Sequence, residues 1–127
     1  RIHEAKINGS DHITLWGSGT PLREFLHVDD LADACVHLLR FSESIEPVNI
    51  GTGEEISIKE LALTIANVVG FEGTFVHDLS KPDGTPRKLL DTSLMHALGW
   101  RPRIRLHDGI REVYQNWVQS VTAPVAA

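Results

Sequence analysis

Among 127 residues there is one cysteine and one tyrosine, and each scarcity removes a class of explanation. One thiol closes no internal disulfide, so a packed core must carry the stability, and a reducing, cytoplasmic setting is the expected one. Cys35 itself falls in an apolar helical pattern, where a thiol behaves as a small hydrophobe rather than a nucleophile. Four residues beyond Tyr114 stands Val118, so a Tyr-x-x-x-Lys acid pair cannot form within the chain. Long apolar runs are missing as well: none approaches the ~20 residues that a bilayer crossing needs. Basic excess is missing too. Twelve Lys and Arg against seventeen Asp and Glu leave a net charge of -5, which disfavours a nucleic-acid partner but not a small anion held by local cations. The ten glycines never spell G-x-G-x-x-G or G-x-x-G-x-x-G, and no phosphate-binding G-x-x-x-x-G-K-[ST] occurs. The seven histidines are scattered, with no pair on one helix face at i, i+4, so no metal site is expected. No secretory signal opens the chain. It starts at Arg1 rather than at a methionine, and it is read as a fragment of something longer.

What is present has the composition of one globular domain, 42% apolar and 23% charged. Arg1–Asn8 reads as the end of a helix closed by Gly9. His12–Trp16 reads as a strand, followed by the turn Gly17-Ser-Gly-Thr-Pro21. Leu22–Val28 reads as extended, and Asp29 as the N-cap of a helix reaching Phe41. Leu31, Ala34, Cys35, Leu38 and Leu39 then fall on one face, expected to be buried. Val48–Ile50 reads as a short strand ending at the Gly51–Gly53 turn. Ser57-x-x-Glu60 is a capping box opening a helix whose apolar face runs from Ile58 to Val69, and Gly70 closes it. Thr74–His77 is a strand candidate, 79–90 a polar loop, Ser93–Leu98 a short helix, and His107–Val118 the last helix. Residues 121–127 are expected to be a flexible tail. The sum is a small α/β domain, with helices packed on few short strands.

Three polar clusters carry chemistry. Trp16 ends a strand beside a glycine turn, where a flat ring could stack. Arg23 follows closely, with the guanidinium geometry that suits a phosphate. Arg87 and Lys88 follow a loop stiffened by Pro82 and Pro86. Together they could bind a nucleoside diphosphate, the aromatic taking the base and the cations the pyrophosphate. Spacing alone favours the other reading, in which Trp16 is core and Arg23 and Arg87 pair with nearby carboxylates.

The segment Trp16-Gly-Ser-Gly-Thr-Pro-Leu-Arg-Glu-Phe-Leu-His-Val-Asp-Asp-Leu-Ala resembles the substrate half of extended short-chain dehydrogenase/reductases. Asn49-Ile-Gly-Thr-Gly and Ser57-Ile-Lys-Glu-Leu continue that likeness in order. Ser80-Lys-Pro-Asp-Gly-Thr-Pro-Arg-Lys-Leu-Leu-Asp91 and Leu98-Gly-Trp-Arg-Pro are similar, more specifically, to the GDP-L-fucose synthase family. The resemblance runs from Arg1 to about Val118. It implies a C-terminal GDP-sugar-binding domain over 1–120, without most of the NADP-binding Rossmann domain that belongs upstream. The activity it implies for the whole family is 3,5-epimerisation of GDP-4-keto-6-deoxy-D-mannose followed by NADPH-dependent 4-reduction to GDP-L-fucose. Carried over position by position, Arg1, Trp16, Arg23 and Lys88 match substrate contacts, with Arg87 and Asp83 as weaker candidates. His27 and Asp29 read as structural. The catalytic Ser, Tyr and Lys, the Cys/His acid–base pair and the NADP loop belong before Arg1, so this chain alone is expected to hold no cofactor and no catalytic residue. Partners implied are the GDP-sugar, the Rossmann half and a second copy in a homodimer, with neither nucleic acid nor membrane. Alternatives are another NAD(P)-dependent nucleotide-sugar epimerase or dehydratase, or a non-catalytic nucleotide-sugar-binding module.

Overall fold

A computed structural model describes residues 1–41 and 46–122. In chain order the elements are α1 (Ile2–Ile7), β1 (His12–Trp16), β2 (Leu22–Arg23), α2 (Val28–Phe41), β3 (Ile56–Ser57), α3 (Ile58–Val69), β4 (Thr74–Asp78), β5 (Arg87–Lys88), α4 (Ser93–Ala97) and α5 (Leu106–Thr122). Two small sheets result. β1 pairs in parallel with β4 over five residues, His12 opposite Thr74 and Trp16 opposite Asp78. β2 is the centre of the second sheet, antiparallel to β3 and parallel to β5.

The best-defined element is α3. Ser57 accepts a hydrogen bond from the Glu60 backbone N–H, and the Glu60 carboxylate accepts from the Ser57 N–H, so two orphan donors of the first turn are satisfied reciprocally. Gly70 ends the helix at φ +73, a backbone conformation that costs glycine least, and donates to the Ala66 carbonyl. Replacing Ser57 by alanine removes the box and is expected to destabilise the fold by about 1 kcal/mol, read as a lower urea midpoint with unchanged slope.

The core has two centres. Ala5, Ile13, Ala66 and Phe71 knit α1, β1 and α3 together, with Ile2 and Phe75 against them. Ala34, Met95 and Trp100 join α2 to α4 and the segment after it, with Leu26, Leu38, Val48 and Ile50 packed alongside. The second centre is pinned by Asp30, a buried carboxylate whose Oδ2 accepts from the backbone N–H groups of both Arg103 and Ile104 at 3.0 and 2.9 Å. Between α3 and α5 lies an apolar cavity of about 500 Å³, walled by Leu61, Ile65, Ile110 and Trp117 among others.

Four expectations are corrected here. Val48–Ile50 joins no sheet; Ile56–Ser57 pairs with β2 instead, and Val48 and Ile50 serve the core by packing. α2 begins one residue earlier than expected. Asp29 therefore lies inside its first turn, where its own N–H donates to His27 Nδ1, and it is not the cap. On α2 only Ala34 and Leu38 of the expected face turn inward, whereas Leu31, Cys35 and Leu39 are exposed. Finally, α5 extends to Thr122, so 121 and 122 are helical, and the rest of the expected tail lies outside the described residues. No described helix is long and apolar enough to cross a membrane.

Candidate functional site

β1 delivers Trp16 to its end, and the glycine turn that follows, with Gly17 at φ +74 and Gly19 at φ +73, leaves the indole 71% exposed. Trp16 is not core. Lys81 Nζ sits 5.7 Å from the centre of its ring, a cation–π distance. Arg1 lies against the same strand, its guanidinium donating to the Thr14 carbonyl at 2.7 Å.

The second sheet sorts the three remaining cations. Arg23 stands in register with Lys88, and Leu22 with Arg87. Because side chains alternate along a strand, Arg23 and Lys88 share one face and Arg87 projects from the other. On that other face Arg87 meets Glu55. Its Nε lies 2.8 and 2.9 Å from the two carboxylate oxygens, and its Nη2 lies 2.6 Å from Oε2. The pairing raises the Arg87 pKa and lowers that of Glu55 through the hydrogen bond they share. Arg87 is thus engaged by Glu55 within the fold. Arg23 donates only to its neighbour's carbonyl, that of Leu22 at 2.6 Å. Among the described residues neither Arg23 nor Lys88 meets a carboxylate. Two cations with no carboxylate partner among the described residues stand on one face of this small sheet, and the loop before β5 runs from Lys81, over the exposed Trp16 ring, to Gly84, against Arg23; such a surface attracts anions.

Carboxylates brace this surface from behind. Glu24, next to Arg23 and therefore on the opposite face, accepts from the Gly53 N–H at 2.6 Å, the Thr52 hydroxyl at 3.3 Å and the Leu90 N–H at 3.1 Å. It ties β2 to the second glycine turn and to the end of the loop at 79–90. A Cβ at Gly51 would stand 2.3 Å from Glu24 Oε1, so the missing side chain there makes room for the brace. Asp83, expected as a substrate contact, spends both oxygens on the first glycine turn: Oδ1 accepts from the Ser18 N–H at 2.8 Å and Oδ2 from the Ser18 hydroxyl at 2.7 Å. Glu24 and Glu55 were not foreseen as site-bracing groups. Their signal in the sequence was position alone, a Glu beside the key Arg and another just before the Ser57 cap.

Hydrogen bonding holds several carboxyls below the ordinary carboxylate range. Ser18 does so for Asp83, Ser57 for Glu60, Ser93 for Asp91, and Trp100 with Arg103 for Asp33. A folded pKa below the unfolded one means the unfolded chain takes up protons first on acidification. The stability from these contacts is therefore complete at neutral pH and is lost as pH falls through the lowered values, below roughly pH 4. Urea midpoints should be level between pH 6 and 8 and drop steeply towards pH 3.

The larger cleft of the fold, about 570 Å³ between Phe25, Glu55, Glu60 and Arg103–Leu106, contains none of Trp16, Arg23 and Lys88. Its cations are partly spoken for, Arg103 by Asp33 at 2.8 Å. In each glycine turn a carboxylate takes one backbone donor, Asp83 the Ser18 N–H and Glu24 the Gly53 N–H.

With the geometry in place, likeness to known proteins becomes informative. The model of the NAD dependent epimerase/dehydratase family matches residues 1–51. Over 121 residues, 95% of the chain, it is 54% identical to GDP-L-fucose synthase 1 of Arabidopsis thaliana, of which it covers 38%. To the GDP-L-fucose synthase of Escherichia coli K12 it is 47% identical over 94% of its length, covering 40% of that enzyme. The chain is a homologue of GDP-L-fucose synthases. It spans about two-fifths of the length of the curated relatives it matches. Its fold superposes on an NADP-bound GDP-L-fucose synthetase structure from Naegleria fowleri with a TM-score of 0.87 and 30% identity, covering 96% of this chain and 39% of that one. The α/β architecture is therefore that of part of an extended short-chain dehydrogenase/reductase.

Proposed function

We propose that this chain is the substrate-binding part of a GDP-L-fucose synthase-like enzyme, and that the face bearing Trp16, Arg23 and Lys88 holds the GDP moiety of a GDP-4-keto-6-deoxy-D-mannose substrate. The observation that carries this is the shared register of Arg23 and Lys88, both without a carboxylate partner among the described residues, on a sheet whose preceding loop also covers the highly exposed Trp16. The indole offers a stacking face to guanine, and the two cations neutralise the pyrophosphate. Arg1 lies against β1 two residues before Trp16 and supplies a further donor. The role of these residues is to anchor. A sugar held by its nucleotide can present C3, C5 and C4 in turn while the anchor stays fixed, and that positioning lowers the entropic cost of each step. Protons at C3 and C5 are labile because each carbon adjoins the C4 ketone.

NADPH would supply the hydride that reduces this ketone. The glycine turns of this chain do not spell a dinucleotide fingerprint, and one backbone donor of each is given to Asp83 or Glu24. No step is therefore assigned to a cofactor held here, and the acid, the base and the cofactor site are placed in a Rossmann partner half. A surface fit for such a partner exists on α2. Leu31, Cys35, Val28, Leu39, Ala32 and Val36 follow one another around a continuous arc of the helix, and all are exposed. An apolar arc of this width on an outer helix calls for a covering layer.

Calorimetric titration with GDP tests the reading. Binding that is weakened at least about fivefold in Trp16→Ala is expected, given the ~1–3 kcal/mol of a base–aromatic stack, while Arg87→Ala stays within about twofold because its guanidinium faces Glu55. Affinity that falls with Arg87→Ala but not with Trp16→Ala would place the nucleotide elsewhere. A preference for UDP or dTDP over GDP would sink the fucose assignment.

A further inference from the structure

We propose that Asp83 is a positioning residue, a clamp that holds the loop at 79–88 down on the Gly17–Gly19 turn so that Trp16, Arg23 and Lys88 stay aligned; the proposal rests on the reading of that face as a GDP-sugar site. The loop is anchored at both ends. Near β4 the Lys81 N–H donates to the Asp78 carbonyl at 3.2 Å, and at the far end the Leu22 N–H donates to the Pro86 carbonyl at 2.9 Å. Between these anchors the loop is exposed throughout, and the two bonds from Ser18 to Asp83 are what tie its middle to the turn.

What the clamp controls is visible on either side of it. Two residues before Asp83, Lys81 covers the Trp16 ring. One residue after, Gly84 crosses Arg23 so closely that a Cβ there would stand 3.1 Å from Arg23 Nη2. The turn is shaped to receive the carboxylate: a Cβ on Gly17 would lie 2.3 Å from Asp83 Oδ1. From the other side, His77 Nδ1 lies 3.0 Å from the Gly17 carbonyl and fixes the turn to β4. A carboxylate is also poorly suited to touch the ligand itself, since it would repel a pyrophosphate. Turned onto Ser18, the same group is paired by two donors and orders the cations around it.

Double-mutant analysis separates clamp from contact. GDP affinity and backbone amide exchange are measured for the wild-type chain, Ser18→Ala, Asp83→Ala, the double variant and Asp83→Asn. A clamp predicts about tenfold weaker GDP binding for Asp83→Ala, and a loss in the double variant smaller than the product of the single losses, because both changes break the Ser18–Asp83 connection. Asp83→Asn keeps an oxygen for the Ser18 N–H and offers an N–H to its hydroxyl, so near-wild-type affinity is expected from it. Exchange at Ser18 and across 81–86 should quicken in Asp83→Ala while α3 stays protected, which also verifies folding. Multiplicative losses, or weakened binding with unchanged exchange, would overturn the clamp in favour of a direct contact. If the wild type binds no GDP, the reading of the site falls, yet exchange still decides the clamp: equal rates in wild type and Asp83→Ala would refute it.

Discussion

Trp100→Ala is expected to destabilise the chain by about 3–5 kcal/mol, the range for deleting a large aromatic from a core. Trp100 is 4% exposed and packs with Met95 and Ala34, so its removal empties the centre of the second cluster. The loss is also polar. Trp100 Nε1–H donates to Asp33 Oδ2 at 2.9 Å, the same oxygen that Arg103 grips at 2.8 Å. Without the indole, α2 loses one of its ties to the segment after α4, which is left to the Asp30 bonds to Arg103 and Ile104 and to the Asp33–Arg103 pair. Domains of this size have about 5–15 kcal/mol in total, so the variant should be largely unfolded at modest urea. Trp100→Phe refills most of the volume and should recover more than half of the loss, a comparison that separates cavity from hydrogen bond.

The second large effect is on binding. Arg23→Ala should weaken GDP roughly tenfold to a hundredfold, corresponding to about 1.5–3 kcal/mol for a charged hydrogen-bonding group. Lys88→Ala should act in the same direction but less, because an ammonium offers a point charge where a guanidinium offers a fork. Arg23→Lys tests that distinction: charge is retained, the two-pronged geometry is not, and at least part of the loss should remain. The fold should tolerate all three, since among the described residues Arg23 hydrogen-bonds only to the Leu22 carbonyl and Lys88 is exposed. Circular dichroism and urea midpoints close to wild type would assign the loss to the site.

The reach of the sequence differs from element to element, for physical reasons. α3 was legible because its start and stop are chemical signals, a reciprocal Ser57/Glu60 box and a left-handed Gly70. β1 was legible because turn residues bound it on its C-terminal side. β2 fell within the longer extended reading of Leu22–Val28, whereas β3 and β5 were not legible, since strands of two residues have no periodicity to read. Their pairing nonetheless builds the site. It separates Arg87 from Lys88, adjacent in sequence, onto opposite faces, and brings Arg23, sixty-five positions away, beside Lys88. Of the open alternatives, the structure divides the outcome: Trp16 is exposed and Arg23 meets no carboxylate among the described residues, whereas Arg87 does pair, with Glu55. The error on α2 has another origin. Its apolar pattern is real, but periodicity reports that a face is apolar and not what covers it. Leu39 and its neighbours point to solvent in this chain, and by the proposal above they await a partner half.

The central claim is that the nucleotide occupies the face carrying Trp16, Arg23 and Lys88. Backbone and indole NMR shifts recorded during a GDP titration test it most directly. Saturable shifts are predicted at the Trp16 indole N–H, at Arg23, at Lys88 and along 81–84, with Trp100 and Trp117 unmoved. Shifts confined instead to the cleft between Glu55 and Arg103, with the Trp16 indole silent, would contradict the account.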